Sequence, residues 1–228
     1  MDKLKFIKIY ETFQKEYFEK LISDDKTYID KKNYVDNSYQ NVIDVNKYKE
    51  IVSRIRKYDI RNFKTSFSYL LNIYPDEGFM NLIKELNQVL IDKISLDINF
   101  QFSIFLGLIN RIDFKEGIPE QLRNMRLDYK LYKFVIYKYK YITSKIGASP
   151  DAKNIWYFLM QDSDLLCFTS NNISGVILKN CSDQEIKEFL DKLKGYQDLE
   201  FDDELKEKVL KFYGDINYYK NRYFNDNN

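Results

Sequence analysis

The spacing of apolar residues predicts helices in the first part of the chain. Residues 3–22 place apolar side chains at helical intervals, which indicates an amphipathic helix. The same spacing returns from about Lys47 to Tyr58. Residues 24–46 between them are polar and rich in Asn, Asp and Lys, and we interpret them as a loop with short strands.

Two further periodic runs extend this region. The run from Phe63 to Tyr74 ends at Pro75, because the residue before a proline is pushed out of the helical conformation. The run from Gly78 to Ile91 follows Asp76-Glu77, two acidic residues that favour the start of a helix. We therefore predict that residues 1–95 form a mainly helical N-terminal region.

The pattern changes to strands near Leu96. Apolar and polar residues alternate over 96–102, and residues 104–109 are almost wholly apolar, which predicts a half-buried strand that runs into a buried one. A helix over about 120–138 and a short strand over 139–143 follow. Such a strand–helix–strand crossover favours a parallel pair, so we expect the two strands that flank this helix to lie parallel.

Turn and capping residues mark the next elements. Ser149-Pro150-Asp151 supplies an N-cap, a proline at the first helical position and an acid in the first turn, which predicts a helix through Met160. Two short apolar runs, Leu165–Thr169 and Ser174–Leu178, are joined by Asn171-Asn172 and predict a β-hairpin.

The C-terminal part is predicted to be helical. Ser182-Asp-Gln-Glu185 has the sequence of a capping box and opens a helix over 183–194, and a last amphipathic helix covers about 203–213. The whole pattern predicts an α+β protein with three regions. They are a mainly helical region at 1–95, a strand–helix–strand–helix–hairpin core at 96–180, and C-terminal helices with a polar tail at 181–228.

Composition narrows the chemistry. The chain has 36 basic and 35 acidic residues, so its net charge does not support a nucleic-acid partner. It has no histidine, the commonest general base and metal ligand, and no motif predicts a catalytic or metal-binding residue. Cys167 and Cys181 are too few for a zinc cluster and are interpreted as buried, reduced thiols.

The sequence also bears on location. Its start lacks the apolar region of a secretory signal, and no apolar run approaches the ~20 residues that span a bilayer. We therefore expect no membrane contact and a place in the cytoplasm, either of a cell or of the host of a virus, or else in the virion itself.

One segment resembles a cofactor loop. Residues 117–133 follow a predicted strand and open a helix, whose first backbone N–H groups can bind an anion. Within them, Arg123-Asn-Met-Arg126-Leu-Asp128 resembles the Arg/Gln-x-x-Gly-x-Gly/Ala loop with which GNAT acetyltransferases hold the pyrophosphate of acetyl-CoA. Arg126 and Asp128 stand where the family has glycines that let the backbone approach the phosphates. The resemblance implies cofactor contacts from Arg123, Asn124, Met125, Arg126 and Asp128.

The element order of residues 96–178 is similar to the C-terminal half of the GNAT fold and implies a mixed sheet flanked by helices. The family's Ala-x-x-Leu-Tyr segment, whose tyrosine protonates the departing thiolate, corresponds to Ala152-Lys-Asn-Ile155-Trp156. An indole cannot serve as an acid at neutral pH. Tyr157 points about 100° away around the helix. Both signatures thus indicate a degenerate member without a working acid.

Several residues allow two interpretations. Arg123 and Arg126 contact either water, as part of an exposed helical turn, or a phosphate or acidic partner. Trp156 either packs in a core or, together with Tyr157, contacts a partner. The Lys- and Tyr-rich stretch 130–145 fits an amphipathic helix better than a single-strand binding surface. The acidic residues of 198–204 fit a helix start better than a Mg²⁺ site.

Three functions remain open. The first is a GNAT-like protein without efficient acetyltransferase activity and without a cofactor, which a phage or mobile element encodes and which binds a macromolecular partner or assembles with itself. The second is an active enzyme that holds acetyl-CoA with a phosphate clamp rebuilt around Arg123 and Arg126. The third is a structural component of a virion, such as a connector or ring protein.

Overall fold

The computed structural model describes residues 41–105, 107–112, 120–123, 125, 127–145, 150–170, 172–194, 196 and 198–215. The predicted helix over 3–22 lies outside them, as does most of the predicted loop over 24–46. The helices are α1 (Val45–Lys57), α2 (Glu77–Val89), α3 (Glu120–Arg123), α4 (Leu127–Tyr139), α5 (Pro150–Gln161), α6 (Asp183–Lys192) and α7 (Asp203–Tyr213), with a 3-10 turn at Ile60–Asn62. The strands are β1 (Lys64–Phe67), β2 (Leu70–Tyr74), β3 (Phe100–Phe105), β4 (Leu108–Ile112), β5 (Tyr141–Lys145), β6 (Leu165–Thr169), β7 (Ile173–Leu178) and β8 (Glu200–Phe201).

The strands form two antiparallel sheets, with the orders β1-β2-β3-β4 and β5-β7-β6-β8. The α+β class is therefore confirmed, and from Phe100 onwards the order is two strands, two helices, a strand, a helix and a hairpin. The expected parallel pair is wrong, because β4 and β5 belong to different sheets, and two antiparallel sheets replace the predicted mixed one. The resemblance to the GNAT fold stays a prediction.

The described residues divide into two compact units. One unit contains Ile104–Arg111 and the described part of Val135–Asn228, and the other contains the described parts of Asp25–Ser103 and Ile112–Phe134. The chain passes from one unit to the other within β3, within β4 and within α4. Neither unit is therefore continuous in sequence.

The segment from Phe63 to Tyr74 forms a β-hairpin, so the helix predicted there is wrong. Leu71 and Ile73 of β2 are buried on either side of Asn72, which is the alternation of a half-buried strand. A short apolar run fits helical and strand spacing equally well. Pairing of β2 with both β1 and β3 selects the strand.

An aromatic cluster centred on Phe63 fills the core of the same unit. Its ring lies 5.3 Å from that of Phe79 in α2, 6.4 Å from that of Phe100 in β3 and 6.5 Å from that of Phe134 in α4. All four rings are buried. Side chains from two helices and one strand therefore pack around Phe63, the residue that precedes β1.

Two predicted continuous elements are interrupted. The apolar run over 100–109 turns at Gly107, whose φ of 74° is a backbone conformation that glycine adopts without strain, so it forms β3 and β4 instead of one extended path. The helix expected over about 120–138 is divided into α3 and α4. The spacing of apolar residues does not predict the turn between β3 and β4 or the division between α3 and α4.

The centre of the second unit is β7, whose residues are all buried. It pairs with β5 on one side and with β6 on the other, which confirms the predicted hairpin. Successive residues of β6 face opposite sides of the sheet: Cys167 Sγ lies 3.7 Å from the Met160 carbonyl oxygen of α5, and the Phe168 ring lies 5.7 Å from that of Phe189 in α6. Helices α5 and α6 thus cover opposite faces.

The predicted helix starts at the C-terminal end are confirmed. Ser182 and Glu185 form the capping box of α6. Asp202 caps α7 by accepting from the Leu205 N–H at 2.9 Å, and its second oxygen accepts from the Cys167 N–H at 2.7 Å. This carboxylate therefore ties the start of α7 to β6, as expected of a capping residue.

Further expectations concern metals, thiols and membranes. Within the described ranges, no group of His, Cys, Asp and Glu side chains is arranged to hold a metal ion. Cys167 and Cys181 are buried and free, as predicted. None of the helices that the structure describes is long and apolar enough to cross a bilayer.

We expect Gly175→Ala in β7 to destabilise the protein by about 1–3 kcal/mol, the usual cost of overpacking a core. A Cβ atom at this position would lie 2.5 Å from Cε1 of Phe168 and 2.9 Å from the carbonyl oxygen of Ile142. Chemical denaturation measures the loss. The same substitution should cost less in a Phe168→Leu background, because the ring is gone, and an equal cost in both backgrounds would contradict the contact.

Acid should remove the contribution of Asp183 to stability. Hydrogen bonds from Lys208, at 2.6 Å, and from Lys211 lower the pKa of Asp183 to about 2. A carboxyl group with a lowered pKa stabilises the fold above its unfolded pKa of about 3.9, and that contribution is lost as the pH falls towards 2. Wild type should therefore melt above Asp183→Asn at pH 7, and the difference should vanish between about pH 4 and pH 2. A constant difference would contradict this assignment.

Candidate functional site

The structure describes only part of the predicted cofactor loop. Arg123 is the last residue of α3, whereas Asn124 and Arg126 lie outside the described residues. No arrangement of these three side chains as a phosphate clamp can therefore be drawn from the structure. Their interpretation as cofactor contacts stays a prediction.

Met125 and Asp128, the two remaining loop residues, make contacts within the fold. Met125 is buried, and its N–H group donates to the Leu122 carbonyl oxygen at 3.1 Å, so it closes the end of α3. Asp128 lies in the first turn of α4, where the helix dipole favours a negative charge, and its carboxylate accepts from the Tyr129 N–H at 2.8 Å. A carboxylate at this helix start competes with an anionic ligand for the same N–H groups.

The inner face of α5 buries the residue that corresponds to the family's general acid. Trp156 is 0% exposed, and Ile155, Leu159 and Met160 on the same helix are also buried. The contact between Met160 and Cys167 shows that this face packs against β6. Trp156 is therefore a core residue, which is the first of the two interpretations given above for its indole.

The outer face of α5 carries an exposed aromatic pair, Tyr157 and Phe158. Their exposed fractions are 37% and 58%, and the ring centroids lie 5.9 Å apart with the planes at 71°. Tyr157 was predicted to contact a partner, and the structure places it at the surface. Phe158 was missed, although helical spacing alone puts it on the side opposite Trp156.

In the unit that contains α5, side-chain hydrogen bonds from β5 reach β4 and the turn before it. The Tyr141 hydroxyl donates to the Gly107 carbonyl oxygen at 2.9 Å, and Thr143 Oγ1 lies 3.1 Å from the Ile109 carbonyl oxygen and 2.7 Å from Asn110 Oδ1. Two residues of β5 therefore contact β4 and the turn before it through side chains, although β4 and β5 belong to different sheets.

Two residues of α6 contact the Tyr141 side chain. Lys192 Nζ lies 5.0 Å from the centroid of the Tyr141 ring and 3.3 Å from its hydroxyl oxygen. The Phe189 ring lies 5.0 Å from the same ring. A cation and an aromatic ring thus fix the orientation of Tyr141, which a β-strand alone would leave free to choose another rotamer.

The polar groups of these residues are uncharged. Trp156 has only a neutral N–H donor, and Thr143 and Asn110 are uncharged groups that do not exchange protons at neutral pH. The exposed rings of Tyr157 and Phe158 offer apolar area and a hydroxyl group.

Comparisons of the chain with protein-family models, with curated proteins and with solved structures gave no match. The candidate site is therefore interpreted from the geometry of its own residues.

We expect Trp156→Ala to destabilise the protein by about 3–5 kcal/mol, the usual cost of truncating a core aromatic side chain. Trp156→Phe should cost clearly less, since it keeps a ring in the core. Tyr157→Ala is the matched control on the outer face and should change stability little. Chemical denaturation of the three variants tests the assignment, and an unchanged midpoint for Trp156→Ala would show that the indole does not pack in the core.

Proposed function

We propose that this chain is a GNAT-like protein without efficient acetyltransferase activity, which acts by binding a protein partner through the outer face of α5. The contact surface is the aromatic pair of Tyr157 and Phe158. The orientation of α5 is the observation that carries the proposal. The helix buries Trp156 at the position of the family's acid and exposes two adjacent aromatic side chains.

Loss of acetyl transfer is supported by three features of the chain. Glycine positions of the family's phosphate loop hold Arg126 and Asp128, and Asp128 already accepts a backbone N–H group. The acid position holds Trp156. In addition, Thr143 spans from β5 to the main chain of β4, and in the GNAT fold the acyl group enters between splayed strands.

A protein partner is supported by the chemistry of the surface. Tyr and Phe are enriched in the cores of protein interfaces, because they bury a large area at a low cost in side-chain entropy. A phosphate backbone would instead require a basic surface, and the chain has a net charge of only +1. An aromatic pair on a rigid helix therefore suits an apolar pocket of another protein.

Site-specific photo-crosslinking in the cells that produce the protein tests the partner surface. A benzophenone amino acid in place of Phe158 should give one dominant crosslinked protein. Leu210, an exposed apolar residue of α7, is the matched control position and should not capture that protein. The purified pair should then lose at least about tenfold in affinity in Tyr157→Ala/Phe158→Ala, with unchanged melting temperature. Equal capture at both positions, or unchanged affinity of the double variant, would contradict the surface.

Titration with acetyl-CoA tests the other half of the proposal. Calorimetry should show no micromolar binding, and no acetyl group should reach a library of peptides and amines. Binding that is lost in Arg123→Ala, together with acetyl transfer, would instead establish the active enzyme with a rebuilt phosphate clamp.

A further inference from the structure

The amide of Asn110 in β4 is buried but incompletely hydrogen-bonded. Asn110 is 2% exposed. Within the part of the chain that the structure describes, its Nδ2 atom has no hydrogen-bond acceptor. Thr143, the neighbour of its oxygen atom, is also fully buried. Buried amide N–H groups are nearly always paired with the chain, with water or with a ligand. This unpaired donor therefore calls for a partner.

The protons at this position can be counted. Thr143 Oγ1 has one proton but two acceptors within reach, the Ile109 carbonyl oxygen at 3.1 Å and Asn110 Oδ1 at 2.7 Å. If that proton goes to Asn110 Oδ1, the Ile109 oxygen receives none from Thr143, and both N–H groups of Asn110 lack an acceptor.

Rotating the amide by 180° does not remove the deficit. Asn110 Nδ2 would then donate to Thr143 Oγ1, which would donate its own proton to the Ile109 oxygen, so that a chain of two hydrogen bonds crosses from β4 to β5 and back. The nitrogen and oxygen of an amide have nearly the same shape, so both orientations fit the same space. One N–H of Asn110 still has no acceptor in this arrangement. An acceptor is thus missing in either orientation, and in the rotated one Oδ1, which then takes the position without a partner, also lacks a donor, so a water molecule satisfies both arrangements.

We propose that Asn110 is the donor of an internal binding site for one neutral oxygen acceptor, supplied by a trapped water molecule or by the carbonyl group of a small molecule. Neutrality follows from the surroundings. Asn110 and Thr143 are uncharged, and a buried carboxylate or phosphate would lose its hydration without a cation in return. A neutral oxygen atom satisfies the donor at a far smaller cost. The site is separate from the aromatic pair on α5 and does not depend on the proposed function.

A high-resolution crystal structure of the full chain tests the site. The expected result is an electron-density peak at about 2.7–3.2 Å from the Asn110 amide nitrogen, the distance of an N–H···O hydrogen bond. An isolated peak identifies water. Density that continues into a larger molecule, with a matching mass in the organic extract of the purified protein, identifies a carbonyl compound.

Two variants make the assignment specific. Asn110→Leu keeps the shape of the side chain without its donor and should lose the peak. Thr169→Val is the matched control, because it removes a buried hydroxyl group whose partner is Ser174 at 2.7 Å, and it should keep the peak. If Asn110→Leu fails to fold, the electron density of the wild-type protein still shows whether the site is occupied. A map in which the amide nitrogen contacts an acceptor of the chain itself, or contacts nothing, would overturn the proposal.

Discussion

The antiparallel pairing of β7 with both of its neighbours is the interaction on which the C-terminal unit depends. Every residue of β7 is buried, so its main-chain groups have no access to water and must be satisfied by β5 and β6. The short turn between β6 and β7 and the burial of both faces set the register, and the register determines which side chains face α5 and which face α6. Trp156 is buried because α5 packs on the face of the sheet to which Cys167 points. The ring of Phe168 lies on the opposite face, next to Gly175.

Sequence patterns predicted the elements whose signals are local. The helix starts at Asp76, Ser182 and Asp202 were predictable, because an N-cap residue and the N–H groups that it accepts lie within three or four positions. The hairpin of β6 and β7 was predictable for the same reason. The hairpin at 64–74 was not, since a short apolar run fits both periods and β3, which decides between them, lies about thirty residues further along the chain.

The candidate site shows the same limit. Helical spacing places Trp156 and Phe158 on opposite sides of α5, yet only the packing of α5 against β6 determines which side is buried. Nothing in the sequence marks Asn110 and Thr143 as neighbours, because they are 33 positions apart and their contact depends on two strands in different sheets. Neither strand marks them further, because β4 also contains Arg111 and β5 also contains Ser144 and Lys145.

The passages of the chain between its two units inside β3, β4 and α4 have a consequence for how this protein can change over time. A unit made from one continuous segment can be duplicated, fused or deleted in a single genetic event. Here the cuts fall inside β3, β4 and α4, so every such event would break elements of both units at once. Neither unit can therefore be exchanged as one continuous piece of chain.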